Sequence, residues 1–381
     1  MKVLHLMLAC FYIDNYSYQE NYLPKYHKQQ GHEVEIVASL FTFDENGKGN
    51  WLSKPSSYIN EYGIPVTRLA YKKGRVSHRL KRYEGLREEL ERCAPECIFI
   101  HGVQSASAAE VIRYCKRHPG TRVYVDNHAD SVNSAKGWVS KNILHRVVWR
   151  HYAQKLEPYV TKFYGVLPAR VDFLINMYGL PKHKVELLVM GADDDSVQAA
   201  SQPEVRARLR RQYGLGEDDF AVITGGKIDH NKPQVLTLMQ AVNELEDPHI
   251  KLLVFGSVHP DLEAQFNRQL SERVRYIGWK QSADIYNEFA VADLIAFPGL
   301  HSVLWEQAVA MGKPCAFRRL AGFDHIDLGG NCVYFEEDTP ASYADTVLQA
   351  KEQCAALQTV AVEHGISTFS YAQIAKRSLE G

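Results

Sequence analysis

The chain has 381 residues, 45% of them hydrophobic and 23% charged, with a formal net charge of -1. That is the composition of a folded globular protein, and the length is more than one ordinary core needs, so two domains are expected. A near-neutral chain carries no overall field toward nucleic acid, and any contact with an anionic membrane would be local.

The opening MKVLHLMLACFY reads as a buried strand over Val3 to Ala9. Its apolar run is short, and no A-x-A-like cleavage site precedes Asp14, so a secretory signal is not expected. A helix at Gln19 to Gln30 and a strand at Glu33 to Ala38 follow. Next come a strand at Cys97 to His101, a helix at Ser105 to Lys116 and a strand at Arg122 to Asn127. The second half repeats the habit. Strands are expected at Ala221 to Thr224, Lys251 to Phe255, Val274 to Ile277 and Leu294 to Phe297, with a helix at Pro233 to Leu245. Alternating β and α, with strands too apolar for one wet face, implies parallel sheets covered on both sides. The fold class is therefore α/β, with two Rossmann-like doubly wound sheets. Between them the linker-like GADDDSVQAASQPE sets the expected boundary: an N-terminal domain 1–193, a C-terminal domain 194–365 and a docked terminal helix 366–381. The seven cysteines, an odd number with no paired C-x-x-C, suit reduced thiols in a cytoplasmic protein. No segment approaches the roughly 18 apolar residues of a membrane span.

Ligands of open parallel sheets bind beyond the carboxyl ends of the strands. If the two sheets face each other, those ends line an interdomain cleft. Five stretches fall under that rule. In AVITGGKIDHNKPQ, Gly225 and Gly226 end a strand and would let backbone N–H groups approach a ligand. Lys227 and Lys232 follow, and a lysine at a helix start opposes the helix dipole unless an anion sits there. The spacing is not that of a P-loop. In FPGLHSVLWEQAVAMGKP, the N–H groups from Gly299 through His301 and Ser302 to Val303 precede a helix. Ser302 is a candidate cap, and Glu306, one turn in, suits a diol such as a ribose or else an exposed surface position. In YVDNHADS, His128 stands at a strand's carboxyl end among polar residues, either structural or at the site. No metal-ligand spacing surrounds it, so no metal is expected. FYIDNYSYQENY carries Asn15, Gln19, Glu20 and Asn21, suited to a hydroxylated ligand or to an ordinary surface loop; it lacks the glycine fingerprint of nicotinamide enzymes. Finally, YKKGRVSHRLKRY and KNILHRVVWRHYAQK mix basic residues with Val147, Val148 and Trp149 and suit either an anionic membrane surface or solvated helix faces. No nucleic-acid module is visible.

Taken in order, KQQGHEVEIVA, YGLPKHKVELLVMGADDD, KLLVFGS, RVRYIGWKQSADIYNEFAVADLIAFP, LWEQAVAMGKP and FSYAQIAK resemble a GT-B glycosyltransferase of the large retaining family four over nearly the whole chain. The resemblance implies that a nucleotide-diphosphate sugar, of UDP or GDP type, binds the second domain. Lys227 and Lys232 match the pair that contacts the diphosphate, and Glu306 matches the ribose partner. The family's first glutamate is replaced by Pro298, and His301 or Ser302 would take over its sugar contacts. His128 matches a histidine that holds the transferred sugar. Trp279 and Lys280 are candidates for the nucleobase, and the acceptor side carries Asn15, Gln19, Glu20 and Asn21 in place of the family's glycine-rich loop. The expected activity is metal-independent hexosyl or hexosaminyl transfer with retention, without a cofactor, to a glycan or lipid-linked saccharide in cell-surface polysaccharide synthesis. The expected location is cytoplasmic, with peripheral contact at the inner face of the membrane. Two alternatives remain: a sugar-nucleotide epimerase or hydrolase on the same fold, and a non-catalytic nucleotide-sugar-binding subunit.

Overall fold

The computed structural model describes residues 1–44 and 48–380. Contacts divide the chain into two compact units, Met1–Val189 with Ile374–Gly381, and Met190–Gln373.

Unit 1 contains β1 (Lys2–Met7), β2 (Glu33–Ser39), β3 (Phe41–Phe43), β4 (Gly49–Trp51), β5 (Ser56–Ile59), β6 (Pro65–Leu69), β7 (Cys97–His101), β8 (Arg122–Asn127), β9 (Lys162–Gly165) and β10 (Val185–Leu187). Eight of these form one sheet in the order β10-β9-β8-β7-β1-β2-β6-β5, parallel but for the edge pair β5–β6. The central strand β1 explains why its sequence shows no alternation. Leu4 and Leu6 enter the core on one face and Met7 the core on the other, so both faces are apolar. Each such side chain, fully buried, contributes about 1.5–3 kcal/mol.

Unit 2 contains β11 (Phe220–Ile228), β12 (Ile250–Val258), β13 (Val274–Tyr276), β14 (Leu294–Phe297), β15 (Cys315–Arg318) and β16 (Cys332–Phe335). They form an all-parallel sheet in the order β13-β12-β11-β14-β15-β16. The strand order reverses at β11 here and at β1 in unit 1, so each unit has a topological switch point, where α/β sheets open a crevice.

One expected strand is longer than its apolar run. β11 continues through Gly225, Gly226 and Lys227 to Ile228, paired with β12 from Phe255 to Val258. The glycines belong to the ladder. A Cβ on Gly225 would lie 2.3 Å from the Phe255 carbonyl oxygen, and one on Gly256 would lie 1.8 Å from that of Gly226. Close strand packing therefore accounts for glycine at Gly225, and the loop expected there begins only after Ile228.

All seven cysteines are free. Among the described residues no helix is long and apolar enough to cross a membrane.

Candidate functional site

In unit 2 the first set of candidates gathers past the carboxyl end of β11. A turn at Asp229 returns the chain through Lys232, whose N–H donates to the Asp229 carbonyl, and the helix Gln234–Glu244 starts two residues on. Gly299, after β14, packs on this turn: a Cβ there would touch the Lys232 Cβ at 3.4 Å. Lys232 and the Pro298–Gly299 loop therefore meet at the switch point. The Lys232 amine has no hydrogen bond or ion pair among the described residues, and burial lowers its pKa. Beside it, Gln234 Oε1 is buried and also lacks a partner. Lys227 is 73% exposed and lies 3.4 Å from Asp229 Oδ2. A half-buried cation with an unused donor next to an unused acceptor is what a polar anionic ligand would satisfy.

Glu306 is not the open carboxylate expected from the sequence. It is fully buried in the helix Leu304–Ala310. His301 Nε2 and His325 Nε2 each stand 2.8 Å from Glu306 Oε1, while Oε2 has no partner. Burial alone would push this carboxyl up. The charge on His301 and the hydrogen bonds from both rings outweigh it and hold the pKa at about 2. In this arrangement a ribose does not reach Glu306; the carboxylate orients His301. The three side chains are of metal-ligand type and their atoms lie within 4.8 Å of one another, a juxtaposition that the spacing did not reveal. Ser302 does not cap the helix: the N-cap is Val303 and no side chain caps it. Trp279 is 66% exposed after β13. Lys280 is engaged, 2.8 Å from Glu288 Oε1 and 3.0 Å from the Tyr213 hydroxyl.

In unit 1 a cavity of about 720 Å³ opens past β1, β7 and β8, and its lining includes Cys10, Glu20, Lys81, Gln104, His128 and Trp149. His128 follows β8, and its Nε2 lies 3.5 Å from Asp126 Oδ2 and 3.9 Å from Glu20 Oε1. Burial would lower the His128 pKa, but the charges of Asp126 and Glu20 dominate and raise it. A raised pKa suits the ring to donate rather than to act as a base.

Of the four acceptor-side residues, only Glu20 lines this cavity. Gln19 Nε2 donates to Asp126 Oδ2 at 3.3 Å, and Asn21 Nδ2 donates to the Ile13 carbonyl at 2.8 Å, both from buried positions. Asn15 has a left-handed φ of 61° and donates its N–H to Glu61. Gln19 and Asn21 thus anchor the start of the helix Gln19–Gln29, since a buried polar side chain seeks partners inside the protein, while Asn15 is exposed in the preceding turn. Trp149 is likewise buried in the core, whereas Val147 is exposed, so the two do not form one apolar face.

Behind His128 runs a chain of buried rings that sequence reasoning missed. His101 Nδ1 lies 2.8 Å from Asp126 Oδ2. His101 Nε2 meets His5 Nδ1 at 3.0 Å, and His5 Nε2 meets His27 Nδ1 at 3.0 Å. His27 Nε2 ends the chain 3.0 Å from the Ala375 carbonyl. His27 Nε2 also meets Ser378 Oγ at 2.9 Å. Burial lowers His5 strongly and brings His27 to about 3. Burial would raise Asp126, but the charges of His101 and His128 hold it below the usual carboxylate range.

No protein-family model and no curated protein matches the chain. Solved structures do. HepE from Anabaena, crystallised with UDP, is similar at TM-score 0.67 and 16% identity, covering 99% of this chain and 98% of that one. Sucrose-phosphate synthase from Thermosynechococcus elongatus is similar at TM-score 0.65 and 14% identity, covering 99% and 96%. UDP-GlcNAc 2-epimerase from Neisseria meningitidis, bound to UDP-GlcNAc, is similar at TM-score 0.61 and 12% identity, covering 99% and 98%. The chain thus has the α/β GT-B fold shared by glycosyltransferases and by sugar-nucleotide epimerases.

Proposed function

We propose that the protein is a glycosyltransferase that moves a hexosyl or hexosaminyl group from a nucleoside diphosphate, UDP by preference, to an acceptor hydroxyl. The observation that carries this is the Lys232 ammonium, half-buried and without a hydrogen bond or ion pair among the described residues, at the switch point of unit 2. Crystal complexes of similarly folded proteins hold UDP or UDP-glucose, which supports the choice of base. Lys232, with Lys227 at the exposed rim, neutralises the diphosphate as charge builds on the leaving oxygen. Fixed cations aimed at developing charge supply several kcal/mol of barrier lowering without a metal ion. His301, held by Glu306, fixes the loop after β14 behind the site. Trp279, exposed beyond β13, stacks on the base.

In unit 1, His128 donates to the transferred sugar. The acceptor proton passes to the departing phosphate, with retention at the anomeric carbon. The acceptor is a glycan or lipid-linked saccharide for a cell-surface polymer, met by a cytoplasmic enzyme at the membrane's inner face.

The likeness to an epimerase that binds UDP-GlcNAc favours a second reading, inversion at a sugar carbon of the donor. One experiment separates the two. The protein is incubated with UDP-glucose and UDP-GlcNAc in chelator and deuterated water, and the products are followed by NMR. Transfer gives UDP and a product with the donor's anomeric configuration. An epimerised, deuterated nucleotide sugar would establish the second reading, and inverted product would sink retention.

A further inference from the structure

The unit 1 cavity holds a second cation that the reading above does not use. Lys81 adopts a left-handed backbone, φ 51°, where side chains other than glycine's are strained. The strain is held in place: the Lys81 carbonyl accepts from Ser105 Oγ at 2.8 Å and from Ser107 Oγ at 2.9 Å. That posture carries the amine into the cavity, where it donates to the Ala9 carbonyl. Among the described residues it forms no ion pair.

The charged and titratable groups around it leave its charge uncompensated. Glu20, the carboxylate of the cavity wall, lies toward His128, 3.9 Å from its Nε2. His145, also on the wall, has its pKa lowered by burial and by the Lys81 charge, so it adds no negative field. Cys10 has its thiol pKa pushed up by burial and stays neutral. The other polar side chains are spent: Gln104 Nε2 donates to Asn127 and Tyr178, and Ser134 Oγ meets His145 Nε2. His128 Nε2 is turned to Asp126 and Glu20, so Lys81 is the cation left for a ligand, with the Tyr18 hydroxyl on the same wall. The rest of the wall is apolar, with Phe11, Phe43, Leu144 and Trp149. Phe11 and Leu144 are 56% and 38% exposed, and Ile143 and Val147 continue the apolar surface outward.

We propose that this cavity binds an amphiphile with a phosphate head, the Lys81 ammonium contacting the phosphate and Phe11, Phe43 and Leu144 covering the apolar part. An ammonium is a compact charge suited to a phosphate oxygen. An anion there offsets the cost of burying it. The inference deepens the acceptor side of the proposed reaction and rests on unit 1 being that side.

The test is binding to the full chain, without turnover. Calorimetry is run with n-octyl phosphate, n-octyl β-glucoside and inorganic phosphate, each below micelle formation. Lys81→Gly removes the amine while suiting the left-handed backbone, so it folds; Lys81→Arg keeps the charge. Expected are binding of octyl phosphate, at least tenfold weaker in Lys81→Gly, and within about threefold of wild type in Lys81→Arg. Equal affinity of wild type and Lys81→Gly overturns the role of Lys81. Octyl glucoside or inorganic phosphate binding as tightly as octyl phosphate overturns the phosphate-headed amphiphile. A UDP titration of the same samples separates the two proposals, since loss of UDP binding alone counts against the donor site and leaves this cavity standing.

Discussion

Each unit folds a carboxylate onto two histidines, and the two arrangements differ in what they leave open. Asp126 in unit 1 stands 2.8 Å from His101 and 3.5 Å from His128, and the His128 side chain is 28% exposed at a cavity. Glu306 in unit 2 is sealed, with His301 and His325 only 7% and 2% exposed. The same chemistry thus serves two ends. In unit 1 it charges a ring that faces a ligand cavity. In unit 2 it fixes an interior, and the donor that remains for a ligand is Lys232, outside the cluster.

Removing the sealed carboxylate should have the largest effect on stability. Glu306→Ala leaves two imidazoles buried without their acceptor, and breaking a buried pair costs about 3–5 kcal/mol. Urea unfolding followed by hydrogen exchange in unit 2 would read it. A loss under about 1 kcal/mol would mean that the cluster does not hold unit 2 together.

Acid should divide the units. His27 has a folded pKa of about 3 against an ordinary value of 6.5. Its stabilisation is complete above pH 6.5 and is lost as pH falls toward 3, on the order of 2 kcal/mol by pH 5. Glu306, with a folded pKa of about 2 and an ordinary value of 4.5, keeps its contribution until pH falls below 4.5. Amide exchange at pH 5 should therefore quicken in unit 1 before unit 2. The reverse order would break the comparison.

His128 should matter less to stability than to turnover. Its raised pKa makes a contribution present below pH 6.5 and lost as pH rises through the folded value. The partly exposed pair is worth under about 1 kcal/mol, so His128→Ala should melt near the wild type while losing activity. If the cation holds the sugar, turnover of any transfer reaction falls as pH climbs past that raised value. A profile flat from mildly acid to alkaline pH would remove the cation from the mechanism. The smallest effect belongs to Lys227→Ala. At 73% exposure its contact with a diphosphate is largely screened, and UDP affinity should fall only a few-fold.

The comparison also separates what the sequence could carry from what it could not. β14, β7 and β8 lie where their apolar runs are, because parallel strands buried on both faces write themselves as continuous runs. His128 and Lys232 were visible because each directly follows a strand, at the end where ligands bind. The edge strand β5 and its antiparallel neighbour β6 were not, since a half-wet edge pair has no such run. The ring chain was invisible for another reason. His5 lies 22 residues from His27 and 96 from His101 along the chain, and only the pairing of β1 with β7 and the helix Gln19–Gln29 bring them together. His325 lies 19 residues past Glu306 in a short 3-10 turn, so nothing local marked Glu306 as enclosed.

The central claim is that unit 2 holds a nucleoside diphosphate on Lys232. Its most direct test is calorimetric titration with UDP in excess chelator, on wild type and Lys232→Ala. The account predicts metal-independent binding that weakens about ten- to hundredfold in the variant, with unchanged melting of the free protein. UDP binding of equal strength in both proteins, or binding that requires a divalent ion, would contradict it.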